Sequence, residues 1–402
     1  MQDRLKCTSI AISRTNGTKV PSESRAWDAA PRRIVDIEIL RAMAIGLVMA
    51  QHAYLQLVLN QRWLLNQMVG APMWCGVDLF FVISGFVITR SLLPGVLSQP
   101  NSGLVLARFW LRRVFRLWPA GWTWLLLIFA GSAIFRRPPI FHSWSDNLPS
   151  VLAGALGYAD YWFPRHFLSH YGPSYPYWSL SLEEQFYALL PPVMLVARGR
   201  LWLFAALALA IQLPLRHPIL YQFLRNDGLL WGVLIAASPR MLRGAPVAGR
   251  ALQRIPLGGP IVLAFAIAAM TQLSPGLTDA PRFKFGLLAA CAAIPLWLAS
   301  ANLDLFRAGV WQPFLLWLAS RSYVLYLSHV PLYLCASALA RRIGETNAVL
   351  GRHTDLCSVA IALPMLAALA EIIHRTIEKP VRKWGYRHID RWLWPGGALP
   401  EP

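Results

Sequence analysis

Acidic side chains are scarce in this sequence: 19 Asp and Glu stand against 38 Lys and Arg in 402 residues, for a formal net charge of +19. Charged residues of both signs make up only 14%, where a soluble domain carries about a quarter. That shortage, beside 56% hydrophobic residues, excludes an ordinary soluble enzyme and indicates an integral membrane protein. Cysteine is sparse as well. Cys7, Cys75, Cys291, Cys335 and Cys357 are scattered, odd in number and without CxxC spacing, so neither a disulfide framework nor a metal centre is expected. G-x-S-x-G, the phosphate-binding loop, G-x-G-x-x-G after a strand and H-E-x-x-H are all missing, which leaves serine-hydrolase and nucleotide-hydrolysing readings without support. No basic, aromatic-interleaved domain appears, so nucleic acid is not an expected partner. Cytoplasmic loops rich in Lys and Arg explain the positive charge better.

What the sequence does contain is a series of apolar segments long enough to cross a bilayer. They fall near 34–59, 74–93, 117–135, 180–197, 200–214, 226–239, 256–273, 283–300, 314–338 and 358–376. The expected fold is therefore an all-α polytopic membrane protein with about ten transmembrane helices around a central passage. Residues 1–33 are polar and lack an apolar core, so they are not a signal peptide and are expected to be a disordered basic cytoplasmic tail. A membrane domain over 34–385 and a cytoplasmic C-terminal tail over 386–402 complete the organisation. The segment 148–162 is the ambiguous one. If it does not span, segments facing the cytoplasm hold more than twice the Lys and Arg of those facing outward. That asymmetry favours ten spans in the cytoplasmic (inner) membrane with both termini cytoplasmic, and a short helix in 136–179 that dips onto or into the membrane.

The first apolar segment, "IEILRAMAIGLVMAQHAYL", carries Arg41 and His52. Such residues cost a few kcal/mol in hydrocarbon and usually face a protein interior or a watery cavity. Eleven positions make about three helical turns, so the two side chains share nearly one face about 16 Å apart. In "WCGVDLFFVISGFVIT", Asp78 sits near the outer end of the second span, where it can face His52 or be a plain interfacial carboxylate; Gly85 reads as a packing site. "ARFWLRRVFRLWP" is a basic amphipathic stretch ended by Pro119, and Arg113 and Arg116 share a face that suits a phosphate or merely anionic lipid. "YWSLSLEEQFYALLPP" offers Ser179 or Ser181 as a helix cap, with Glu183 and Glu184 in the first turn pointing about 100° apart. Asn226 and Asp227 open the span near 226–239 as a cap. "SRSYVLYLSHVPLYL" adds Arg321 and His329, a second intramembrane histidine, and "IEKPVRKW" ends the last span at Pro380 as a topology anchor.

Taken together these stretches resemble the acyltransferase-3 family of multispanning membrane O-acyltransferases, which includes O-antigen, exopolysaccharide and Nod-factor acetylases and macrolide acylases. The matching pieces are "LRAMAIGLVMAQH" (R-x10-H), "GVDLFFVISGFVIT", "RRVFR" (RxxR), "WSLSLEEQFY", "RNDGLLWG" and "SYVLYLSHVPL", in family order from about residue 33 to 385. The resemblance implies an acyl-CoA donor, usually acetyl-CoA, used as a substrate rather than held permanently. It also implies an acceptor hydroxyl, often on a cell-surface or lipid-linked saccharide. Carried over by position, Arg41 and His52 form the R-x10-H pair, Arg113 and Arg116 bind the CoA phosphates, and Glu183 and Glu184 are the motif glutamates. Some members append an extracytoplasmic SGNH-type domain. With 402 residues none is expected here, so final transfer falls to the membrane domain or to a separate extracytoplasmic transferase.

The expected mechanism makes His52 the general base on the acceptor hydroxyl, steered by Glu184 or Asp78, with Arg41 fixing or polarising the thioester; an acyl-histidine intermediate is the variant. Two other readings stand beside it: acylation of a small molecule such as a macrolide, and a transporter or flippase for a lipid-linked glycan, which consumes no acyl-CoA.

Overall fold

The computed structural model describes residues 34–57, 73–98, 101–134, 143–166, 172–212, 225–274, 284–347 and 353–393. The N-terminal tail falls outside them. Helices account for 90% of the described residues, and no strand occurs among them. In chain order they are α1 (Val35–Leu57), α2 (Gly76–Ser98), α3 (Ser102–Ile134), α4 (Trp144–Ala155), α5 (Ala159–His166), α6 (Tyr177–Ala197) and α7 (Leu201–Gln212). After these come α8 (Asp227–Ala237), α9 (Pro239–Gln253), α10 (Gly258–Leu273), α11 (Lys284–Ala299), α12 (Gln312–Thr346), α13 (Thr354–Ile373) and α14 (Lys379–Leu393).

Among the described residues four helical stretches are long and apolar enough to cross a membrane: Met73–Ser98, Ser102–Ile134, Gly309–Thr346 and Thr354–Leu393. A fifth arises if α9 and α10, bent by 111° at their junction, are taken as one span. Length and composition alone therefore support four or five spans, not the expected ten. The difference lies in α1, whose first turns carry Asp36, Glu38 and Arg41, and in short apolar helices such as α8 and α11, of 11 and 16 residues.

Several boundaries differ from those expected. Pro119 does not end a helix; it lies inside the 33-residue α3. A proline removes one amide donor and crowds the preceding turn, and buried packing outweighs that penalty here. The Thr123 hydroxyl donates to the Pro119 carbonyl at 2.6 Å. Pro380 likewise fails to stop the last span, which runs through a π-helical turn, His374–Glu378, into α14. The boundary drawn at 385/386 thus falls within a helix. The Arg-rich loop 239–254 is mostly helix α9, capped by Ser238, whose side chain accepts from the Met241 amide, with proline in the first turn. In 144–166, α4 and α5 have 12 and 8 residues, too few to cross about 30 Å of hydrocarbon.

The closest helix contact pairs α2 with α8. A Cβ added to Gly85 would lie 2.1 Å from the Leu229 carbonyl oxygen, and one on Gly232 would lie 2.2 Å from that of Val82. Two backbones meet here because both carry glycine at the crossing. Helix α1 packs on α12, α12 on α13, and α14 lies along the first half of α3.

Candidate functional site

A partly open cavity of about 100 Å³ lies between α1, α2, α3, α6 and α12, several times the ~10–15 Å³ that a single water needs. Arg41, Arg113, Arg116 and Glu183 all line it, with Ser84, Ser179, Tyr187 and Tyr326. Four of the seven predicted site residues, from three separate motifs, thus meet in one place. Arg41 is held through its Nη1, 3.2 Å from each carboxylate oxygen of Glu38 one turn earlier. Arg113 stacks over the Tyr187 and Phe109 rings, with centroids at 4.9 and 5.3 Å. Glu183 accepts hydrogen bonds from both the Ser84 and the Tyr187 hydroxyls, and those two hydroxyls lie 2.7 Å apart. Neither hydroxyl was a candidate on sequence, although both lie inside quoted motifs; each gains its meaning only from the packing of α2 against α6.

The four arginines of α3 divide by face. Arg113 and Arg116 turn to the cavity, while Arg108 and Arg112 turn to α14. The Arg108 Nε and the Arg112 Nη2 lie 2.7 and 3.3 Å from the Asp390 carboxylate, and Gly385 packs against the Phe115 ring. The last helix therefore braces the arginine-bearing stretch from behind.

Helix α6 begins at Tyr177, with no acidic residue in its first turn, so neither Ser179 nor Ser181 is its cap. The Ser179 hydroxyl meets the Tyr326 hydroxyl at 2.6 Å, and the Ser181 oxygen accepts from the Ala159 amide at 3.2 Å. The two glutamates point apart as the helical period requires. Glu184 lines a second, smaller cavity of about 10 Å³ with Tyr177, Gly121 and Tyr323. Beside it lies Gly157, whose φ of +70° no ordinary side chain readily adopts and whose added Cβ would stand 3.4 Å from the Glu184 carboxylate.

Asp78 does not face His52. Its Oδ2 lies 3.0 Å from the Arg225 Nη2, with each side chain only 1% exposed. The Arg225 guanidinium is enclosed by Trp74, Phe285 and Trp178, with ring centroids 4.6, 5.4 and 5.5 Å away. The expected partnership failed because Arg225, just before α8, reaches Asp78 across the glycine seam. Asp227 begins α8, but Asn226 at its cap position makes no side-chain capping bond.

His52 is buried on α1, outside the cavity lining. Its Nδ1 lies 2.9 Å from the Val48 carbonyl oxygen and 3.2 Å from the His329 Nε2. No carboxylate of the described residues is hydrogen-bonded to it. His329 in turn places its Nδ1 3.1 Å from the Leu325 carbonyl oxygen and its ring 5.6 Å from that of Tyr326, which lines the cavity. Arg321, eight residues earlier on α12, is bidentate to Glu371, with contacts of 2.7 and 3.1 Å. No group of three or more His, Cys, Asp or Glu side chains able to hold a metal occurs among the described residues.

A helical membrane protein that gathers arginines and a clamped glutamate around one cavity, next to a buried histidine pair, is the class defined by this fold and site. The chain belongs to the acyltransferase-3 family, whose model, described as "Acyltransferase domain", matches residues 34–365. It is 26% identical over 388 residues to YrhL of Bacillus subtilis, covering 90% of this chain and 56% of that protein. It is 27% identical over 384 residues to the peptidoglycan O-acetyltransferase OatA of Listeria monocytogenes, covering 88% and 56%. To the O-acetyltransferase OatA of Staphylococcus aureus it is 25% identical over 382 residues, covering 89% and 58%. The chain thus spans little more than half the length of these relatives. No solved structure matches it.

Proposed function

We propose that this chain is a membrane O-acyltransferase that moves an acyl group, most simply acetyl, from cytoplasmic acyl-CoA to a hydroxyl of a cell-surface or lipid-linked glycan. The observation that carries this reading is the convergence of Arg41, Arg113, Arg116 and Glu183 on one cavity, with His329 and His52 behind its Tyr326 wall. The cavity volume suits the thioester end of a donor, while the CoA phosphates stay at Arg113 and Arg116, whose spacing allows a charge-assisted clamp. Glu183, fixed by two hydroxyls, stays aimed at the arginines. His52 removes the proton of the acceptor hydroxyl, whose oxygen attacks the thioester carbonyl. As the carbon–sulfur bond breaks, His52 returns that proton to the leaving thiolate. Arg41, about three turns from His52 on α1 and lining the same cavity as Arg113 and Arg116, helps fix the donor rather than act at the reacting carbonyl. Asp78 has no step here, since its charge is taken by Arg225.

Two of the relatives carry peptidoglycan in their names, which favours a glycan acceptor over a small molecule. In this reading α1 and α6, of 23 and 21 residues, also cross the inner membrane, the shorter apolar helices lie within it as partial spans, and both termini are cytoplasmic. Membranes carrying the wild-type chain or His52→Ala at equal abundance, supplied with radiolabelled acetyl-CoA, provide the test. Label should enter the glycan fraction in the wild type and be lost in the variant. Full activity in His52→Ala, or no donor consumption by the wild type, overturns the proposal; the latter outcome favours a transporter.

A further inference from the structure

The sequence calls for a carboxylate behind His52, and the structure puts a second imidazole there. Each ring holds its Nδ1 against the carbonyl oxygen one turn back: His52 against Val48 at 2.9 Å, His329 against Leu325 at 3.1 Å. A carbonyl oxygen only accepts, so both neutral rings carry their proton on Nδ1 and leave Nε2 bare. The bare Nε2 of His329 then lies 3.2 Å from the protonated Nδ1 of His52, with ring centroids 4.9 Å apart in an edge-on arrangement. That single proton is shared between a carbonyl and an imidazole. The second nitrogen of His52, its Nε2, has no hydrogen-bond partner among the described residues.

We propose that His329 is a positioning residue for His52, accepting its Nδ1–H and thereby fixing the tautomer whose Nε2 lone pair takes up the acceptor proton. This rests on the reading of His52 as general base given above. When Nε2 takes the hydroxyl proton, the positive charge of His52 spreads through the Nδ1–H to the lone pair of His329. When the thiolate leaves, the Nε2 proton goes to sulfur and both rings return to neutral, so no further reactant is needed. An uncharged partner suits this place. His329 is 0% exposed, and a carboxylate so deeply buried needs its own compensating charge. The pair is held together from both sides, since α1 packs on α12 and the Tyr333 hydroxyl donates to the Met49 carbonyl at 3.3 Å.

Two measurements test this. Protein labelled with ¹⁵N-histidine in lipid bilayers, compared with His52→Gln and His329→Gln, reads the tautomers whether or not the chain turns over. The expected spectrum shows His52 protonated at Nδ1 and bare at Nε2, with its Nδ1 resonance moving when His329 is replaced. A proton on the His52 Nε2, or a resonance indifferent to His329, overturns the pairing. Acyl transfer then reads the role. His329→Leu should lower kcat at least tenfold with KM for acetyl-CoA within twofold, and His329→Gln, whose amide oxygen can accept the same proton, should recover part of that loss. A His329→Leu enzyme with wild-type kcat overturns the role. If it does not fold, His329→Gln behaving no better than His52→Ala while remaining monodisperse overturns it instead. A wild type without acyl transfer refutes the proposed function, while the nitrogen spectra still decide the pair.

Discussion

Asp78 and Arg225 form a buried ion pair whose removal should follow a definite order. Both are 1% exposed and 3.0 Å apart. Two unit charges about 4 Å apart attract by about 4 kcal/mol at an effective dielectric near 20, and breaking a buried pair from one side costs about 3–5 kcal/mol. The two sides are not equivalent. In Asp78→Asn the stranded guanidinium still sits among three aromatic rings, and cation–π attraction can offset up to about 2 kcal/mol. In Arg225→Leu the stranded carboxylate has no such cushion, and Asp227 is within electrostatic reach with the same sign. Asp78→Asn should therefore cost about 2–3 kcal/mol and Arg225→Leu about 5, whereas Asp78→Leu with Arg225→Leu should come within about 1 kcal/mol of wild type. Unfolding midpoints in mixed micelles provide the assay, with acyl transfer measured on the same samples. If the double variant loses the sum of the two single losses, the pairing argument fails. If it is stable yet inactive, Asp78 has a chemical role after all.

Three further outcomes follow from the geometry. Gly85→Ala drives a Cβ into the Leu229 carbonyl at 2.1 Å, so α2 and α8 must separate; the loss should exceed the ~1–3 kcal/mol of ordinary overpacking, seen as a lower Tm and a poor monodisperse yield. Arg113→Ala or Arg116→Ala should raise KM for acetyl-CoA by about 10- to 150-fold, the equivalent of one charged hydrogen bond of about 1.5–3 kcal/mol, while Arg112→Ala, which faces Asp390, should leave KM nearly unchanged. Asp160, on the short α5, is buried, and its carboxyl is pushed up from 3.8 to about 6 by desolvation. It accepts from the Gln185 amide at 2.9 Å, and its Oδ2 lacks a partner among the described residues. Because its folded value is raised, the fold favours the protonated form, and stability falls as pH rises through about 6. Asp160→Asn should therefore be more stable than wild type by up to about 3 kcal/mol near pH 8 and equal to it near pH 4, read by thermal unfolding at both.

Much of the site was legible because a helix maps sequence spacing directly onto its faces. Arg113 and Arg116, three apart, share the cavity wall, and Glu183 and Glu184, adjacent, diverge into separate cavities as expected. What the sequence could not carry is the pairing of helices. His329 lies 277 residues from His52, and Arg225 lies 147 from Asp78; no local pattern joins them. Two of the six motifs, around Gly85 and Gly232, prove to be the two sides of one seam, so the packing site read at Gly85 has its other half 147 residues away. The prolines misled for a related reason. Pro119 and Pro380 are stop signals in an isolated helix, yet packed neighbours keep both helices going.

The brace on the arginine helix lies beyond every motif in the sequence. Asp390 and Gly385 follow the family-matched region, which closes at residue 365. A ribosome has thus translated every motif before the segment that steadies Arg108 and Arg112 emerges. A chain cut soon after 365 would keep all its signature residues while leaving the support of Arg108 and Arg112 unmade.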